Sequence, residues 1–160
     1  MEDFKKYFVD VVKEKYIDFS GRARRKEFWM FVLFNAIISC VLGIVGSIIN
    51  TNILYSLYSL AVFLPTLAVE VRRLHDINKS GAVLVIPVIL TVVIAIMAVV
   101  VMVAALGTAA TGSAGGFGVS AILFFVLCIA DLVFYIVLLV WFCKEGDNGA
   151  NQYGEDPKAM

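Results

Sequence analysis

A chain of 160 residues, 61% hydrophobic and 16% charged, carries more apolar surface than a soluble domain can fold away; such domains hold roughly half apolar and about a quarter charged residues. Lys plus Arg and Asp plus Glu tie at 13 each, so net charge gives no reason to expect nucleic acid or an acidic partner. The surplus requires lipid to cover it, and the composition reads as an all-α polytopic membrane protein.

Residues 1–27 form a basic N-terminal segment. Phe4, Tyr7, Phe8, Val11, Val12, Tyr16 and Phe19 recur at helical spacing, with Lys5, Lys6, Lys13 and Lys15 mostly on other faces. This pattern predicts an amphipathic helix with two open placements, in the plane of the lipid headgroups or packed on the inner face of the bundle. The first twenty residues lack a continuous apolar stretch and a small-residue cleavage site, so no removable signal peptide is expected. Ser20 is a candidate helix cap.

Four long apolar segments follow, 28–49, 53–71, 82–106 and 119–143. About twenty helical residues at a rise of about 1.5 Å cross a hydrocarbon core of roughly 30 Å, so each segment is long enough to span. Residues 50–52 are a tight connection that makes the first two spans an antiparallel hairpin, whereas 107–118 reads as a flexible, uncharged loop. In the first span Ser39, Gly43 and Ser47 lie four residues apart as a stripe of small side chains, a packing face for another helix of the chain or for a second copy. Pro65 and Pro87 each remove a backbone hydrogen bond and are expected to kink their helices. Asp131 falls near the middle of the fourth span, where insertion costs roughly 2.5–3.5 kcal/mol. Two readings stand for it, an interhelical hydrogen bond and a proton or cation relay.

The distribution of cations is more informative than their number. Eight of the 13 Lys and Arg precede the first span, three lie between the second and third, and two follow the fourth; the other two connections have none. Positive segments resist translocation, so both termini and the central loop are expected in the cytoplasm. Trp29 and Trp141 fall at the inner interface and Tyr55 near the outer one, where amphipathic rings prefer to sit.

The polar residues worth weighing lie in the same three segments. Arg22, Arg24, Arg25 and Lys26 precede the first span, at the level of anionic headgroups, as topology anchors or as a lipid or partner site. Arg72, Arg73, His75 and Asp76 follow the second span, with arginines placed to complement a helix C-terminus. One His in the whole chain cannot build a zinc site without several other ligands, and no nucleophile accompanies it, so neither metal binding nor catalysis is expected there. The tail, 144–160, is dense in turn formers and includes Asn151 and Tyr153. Gly149 occupies the third position from Asp147, where a calcium loop needs an oxygen ligand, so an ordered turn is expected instead. Cys40, Cys128 and Cys143 read as reduced, packed thiols.

Gly21-Arg-Ala-Arg-Arg-Lys-Glu-Phe-Trp29, Phe63-Leu-Pro through Arg72-Arg-Leu-His-Asp76 with Ser80-Gly81, and Gly146, Gly149, Asn151, Tyr153, Gly154, Asp156 and Pro157 together resemble the domain of unknown function 805 family of small bacterial inner-membrane proteins. The resemblance spans most of the chain and implies a bacterial inner-membrane location, but no activity, cofactor or catalytic set. The chain departs from many relatives at Ala82 and Val83, where those carry a Trp pair. The three blocks share one predicted face of the membrane, so Arg22, Arg25, Arg72, Arg73, Asp76 and the tail turn are expected to assemble into one polar cluster.

The function that follows is non-enzymatic binding, as a scaffold or accessory protein without cofactor. Its expected partners are anionic headgroups on the cytoplasmic side, together with a protein partner or further copies of the chain. The alternative is a small oligomeric transporter or channel using Asp131.

Overall fold

The computed structural model describes residues 2–112 and 115–158. The chain divides into two compact units, Met1–Gly81 with Phe142–Met160, and Ala82–Trp141.

The first unit opens with a helical stretch, α-helical over Glu2–Phe4 and Asp10–Glu14 and π-helical over Lys5–Val9 between them. Its apolar side meets the first long helix, α1 (Arg25–Ile48): Phe4 stands edge-on to Phe34 with ring centres 5.0 Å apart, and Phe8 stacks on Phe31 at 5.4 Å. Phe8, Val11 and Phe31 are buried there. The stretch thus packs its apolar side on α1.

Helix α1 begins earlier than hydropathy alone suggests, and Arg24 occupies its N-cap without a side-chain cap bond. Ser20 does not cap it. Its backbone N–H and hydroxyl both donate to the Asp18 carboxylate two residues back, a nearer acceptor than a helix starting five residues on. That bonding holds the Asp18 carboxyl below its usual range.

Asn50 sits in the left-handed region (φ 58°) in the turn to α2 (Ile53–Asp76), and Thr51 N–H donates to the Gly46 carbonyl at 2.9 Å. A Cβ on Gly46 would come within 2.7 Å of the Thr51 oxygen, so the tight turn requires glycine there. Across the hairpin Tyr58 donates to Asn35 Oδ1 at 2.7 Å. Helix α2 runs on to Asp76, through Pro65. Pro65 has no N–H for the Ala61 carbonyl four residues before it, and the Tyr16 hydroxyl donates to that oxygen at 2.7 Å. A residue outside the span thereby satisfies a backbone group that the proline leaves open.

The second unit holds the apolar pair. A short 3₁₀ turn, Gly81–Leu84, leads into α3 (Val85–Thr111), and α4 is Gly115–Cys143. Pro87 is the third residue of α3, inside the first turn, where backbone N–H groups have no partner within the helix. The expected loop over 107–118 is mostly helix: α3 ends in a left-handed Gly112 (φ 71°) whose N–H donates to Thr108 O at 2.9 Å. Away from water a helix end is costly, so the backbone stays helical until a residue free to take that conformation ends it.

Four helices are long and apolar enough to cross a membrane, and no strand occurs among the described residues; the fold is an all-α polytopic membrane protein. The small-residue stripe of α1 makes no close approach at Gly43, where an added Cβ would meet nothing within 4 Å, and Ser47 turns its hydroxyl back to the Gly43 carbonyl at 3.0 Å. Cys40 and Cys143 are free and exposed, unlike the packed thiols expected.

Candidate functional site

The three basic segments meet within the first unit. Asp76, the last residue of α2, is 2% exposed and has a guanidinium at each carboxylate oxygen. Arg22 Nε and Nη2 both lie 3.1 Å from Oδ1, and Arg73 Nη1 donates to Oδ2 at 2.6 Å. Two cations on one anion leave a positive surplus, which backbone carbonyls absorb. Arg22 Nη1 donates to Gly149 O at 2.6 Å and reaches Gly154 O at 3.5 Å, while its Nη2 donates to Asp147 O at 2.6 Å. Arg73 Nε donates to Phe142 O at 3.2 Å and its Nη2 to Lys144 O.

Phe142 and Cys143 end the fourth long helix and Lys144 follows it, where carbonyls lack partners along the helix. Arg73 takes the first and last of these oxygens and Arg25 Nη1 reaches Cys143 O at 3.4 Å, so two arginines cap that C-terminus and complement its dipole. Phe28 packs on Phe142 beside them, ring centres 4.5 Å apart.

The tail is shaped to reach this node. Asp147 N–H donates to the Asp76 carbonyl at 2.8 Å, which lays Gly146 against the Asp76 carboxylate; a Cβ at 146 would overlap that carboxylate. Gly149 adopts φ 78°, and its N–H donates to Asp156 Oδ2 at 3.0 Å. Asn151 and Gly154 exchange backbone hydrogen bonds of 3.0 and 3.1 Å in a tight turn, and Tyr153 N–H donates to Asn151 Oδ1. The turn presents Asn151 Nδ2 to the His75 carbonyl at 2.9 Å and stacks Tyr153 flat on the His75 ring, centres 3.8 Å apart. His75 Nδ1 lies 3.2 Å from Gly21 O. On the other side Ala23 N–H donates to Arg72 O at 3.0 Å, strapping segment 22–24 over the end of α2.

Arg72 turns away from Asp76. Its Nη1 pairs with Glu27 Oε1 at 3.1 Å and its Nε donates to Ala68 O at 3.3 Å, leaving Nη2 buried without a partner among the described residues. Glu27 also lies 3.9 Å from Lys15. Glu27 is a site residue that the sequence reading passed over, although it is the one acid in the basic block 21–29. Glu70, half-buried inside the second span, was passed over too.

Of the expected cluster, the structure brings Arg22, Arg25, Arg72, Arg73, His75, Asp76, Asn151 and Tyr153 to one end of this unit, with Arg24 half-buried at the start of α1. Asp131 belongs to the second unit, where its Oδ1 is buried without a hydrogen-bond partner among the described residues. No group of three or more metal-ligating side chains occurs among the described residues. Chemically, the node is a closed lock: its cations are spent on a carboxylate and on carbonyls, and the open charge lies beside it.

A profile described as protein of unknown function (DUF805) matches residues 16–155. The chain is 38% identical over 154 residues to inner membrane protein YhaI of Escherichia coli (strain K12), covering 95% of each. It is 30% identical over 158 residues to inner membrane protein YhaH of the same strain, covering 95% of this chain and 96% of that one. No solved structure matches it.

Proposed function

For a chain that belongs to the DUF805 family of proteins of unknown function, we propose a non-enzymatic role as an inner-membrane scaffold or accessory protein that works by binding at its basic end, with both termini and the central loop in the cytoplasm. The observation that carries the reading is the node itself. Two fully buried arginines on one carboxylate fix the first segment, the end of α2 and the tail in a single arrangement. Such a lock supplies rigidity, and rigidity suits a surface that must present its remaining charges at set positions to anionic headgroups, a protein partner or another copy of the chain. All 13 Lys and Arg fall in the three segments expected on one side, which supports the orientation.

The test combines tag accessibility in intact cells with mass spectrometry of what co-purifies in mild detergent. Cytoplasmic reporters at both ends and a reproducible set of lipid or protein companions are expected. A C-terminal reporter found outside, or a chain purified without companions, removes the reading.

One observation favours a second reading, an oligomeric transporter or channel. Asp131 carries a buried, unsatisfied oxygen within a membrane span, and such acids often line ion or proton paths. Proton and cation flux into liposomes holding the protein, abolished by Asp131→Asn, is the outcome that reading requires.

A further inference from the structure

Beside the node, between the N-terminal helical stretch and the start of α1, lies a recess of about 370 Å³. Its lining includes Lys6, Tyr7, Lys15, Arg24, Lys26 and Glu27, with Arg22 of the node and Pro157 of the tail at its edge. The ammonium groups of Lys6 and Lys26 lie over the same Tyr7 ring, 5.6 and 5.3 Å from its centre. The ring attracts both cations through its negative face, yet drawing them together raises their mutual repulsion. Among the described residues neither forms a salt bridge. Glu27, the acid of the lining, is already engaged by Arg72 at 3.1 Å and Lys15 at 3.9 Å. The recess therefore gathers positive charge, of which Lys6 and Lys26 form no salt bridge among the described residues, and it is held by the packing of Phe4 and Phe8 on Phe34 and Phe31.

The surface that continues from it is apolar. Lys26, Leu33, Ile37 and Ile44 follow one another at seven, four and seven residues, a spacing that keeps them on one face of α1. The three apolar members are each at least half exposed. A cationic seat above an apolar stripe has the shape of one ligand class. We propose that the recess binds the phosphate of an anionic phospholipid, with Lys6 and Lys26 as its principal contacts and an acyl chain lying on Leu33, Ile37 and Ile44. A free phosphate ion offers the same oxygens but leaves the stripe unused. The proposal rests on the reading above that this end of the protein lies at the inner headgroup layer, and it names the ligand class there.

The test uses the full chain in mild detergent with equimolar phosphatidylglycerol and phosphatidylcholine, and native mass spectrometry to count what stays bound. Since each Lys near a headgroup is worth about 1 kcal/mol, wild type is expected to retain the anionic lipid at least about fivefold more. The double variant Lys6→Gln with Lys26→Gln brings the ratio near parity. Lys5→Gln with Lys13→Gln removes the same charge from the same stretch outside the recess and keeps the preference. Equal retention by wild type, a preference that survives in the first variant, or one lost equally in the second would each overturn the site. Inorganic phosphate that displaces the lipid at millimolar concentration would assign the seat to a soluble anion and overturn the lipid. Thermal unfolding of each variant accompanies the counts; a recess variant that melts well below wild type makes those lysines structural and overturns their role as lipid contacts. Reporter topology and co-purifying proteins, measured on wild type, separate the two readings: no lipid preference with both intact overturns the lipid alone, whereas an outward-facing terminus removes the premise of both.

Discussion

The arginine node and the lysine recess share one end of one unit and one sign of charge, but they spend that charge differently. In the node Arg22 and Arg73 are buried, and the donors of each reach a carboxylate oxygen and backbone carbonyls. In the recess Lys6, Lys15 and Lys26 are exposed, held by an aromatic ring and one shared carboxylate. The side chains suit the two tasks. A guanidinium is a planar fork of five donors, less strongly hydrated than an ammonium, and so can be desolvated against several fixed acceptors at once. An ammonium on a flexible stem keeps its water until a partner replaces it. Arginine holds this end of the molecule together, and lysine leaves it open.

That contrast is broken most severely at Asp76. Asp76→Ala leaves two buried guanidiniums without their anion and is expected to cost about 3–5 kcal/mol. The loss should appear as a much lower melting temperature in detergent, or as failure to accumulate in the membrane. Next comes Gly146→Ala, which pushes a methyl group into the Asp76 carboxylate and should destabilise by about 1–3 kcal/mol in the same thermal scan. Tyr16→Phe removes the donor from the Ala61 carbonyl that Pro65 leaves open, at about 1 kcal/mol. In a Pro65→Ala background, which restores an N–H for that oxygen, Tyr16→Phe should cost little, so the double-mutant cycle should show a coupling of about the same size.

The recess variant Lys6→Gln with Lys26→Gln is expected to change stability by less than about 0.5 kcal/mol, as exposed substitutions do. A large loss there would erase the distinction between the two regions. The smallest effect concerns pH. Asp156 accepts from the backbone N–H groups of Lys158 and Gly149, which holds its carboxyl below the ordinary value of 3.8. Its folded pKa is thus depressed, so the stability it adds to the tail turn is complete above the ordinary carboxylate range and fades as pH falls through the lowered value. Amide exchange at Gly149, followed into acid, should quicken in that window, and Asp156→Asn should flatten the dependence.

How much of this was legible beforehand follows from which forces act along the chain and which act across it. Hydropathy and cation placement are local properties, so the four spans, the hairpin at residues 50–52 and the convergence of three distant segments on one end could be read directly. Helix ends were less legible, because the backbone hydrogen-bond ladder carries α2 on to Asp76 and α3 to Thr111, past the points where the apolar residues stop. Partner choice was not legible at all. Arg72 and Arg73 are neighbours in sequence, but successive helical positions point about 100° apart, which sends one to Glu27 and the other to Asp76. The signal for Tyr16 was half present: a proline inside a span announces an orphaned carbonyl four residues earlier, though not the side chain that will reach it.

One consequence of the node concerns the order in which the protein is made. Arg22, Arg73 and Asp76 are all synthesised before residue 77, whereas the carbonyls that receive the arginines' remaining donors come from residues 142, 144, 147, 149 and 154. A nascent chain therefore carries arginine donors without their carbonyl acceptors until residues 142–154 have been made. Any product cut short before residue 142 keeps those donors exposed. Closure of the lock thus waits on acceptors that lie at least 65 residues beyond Asp76 in the chain, so it is the last part of this unit that can form.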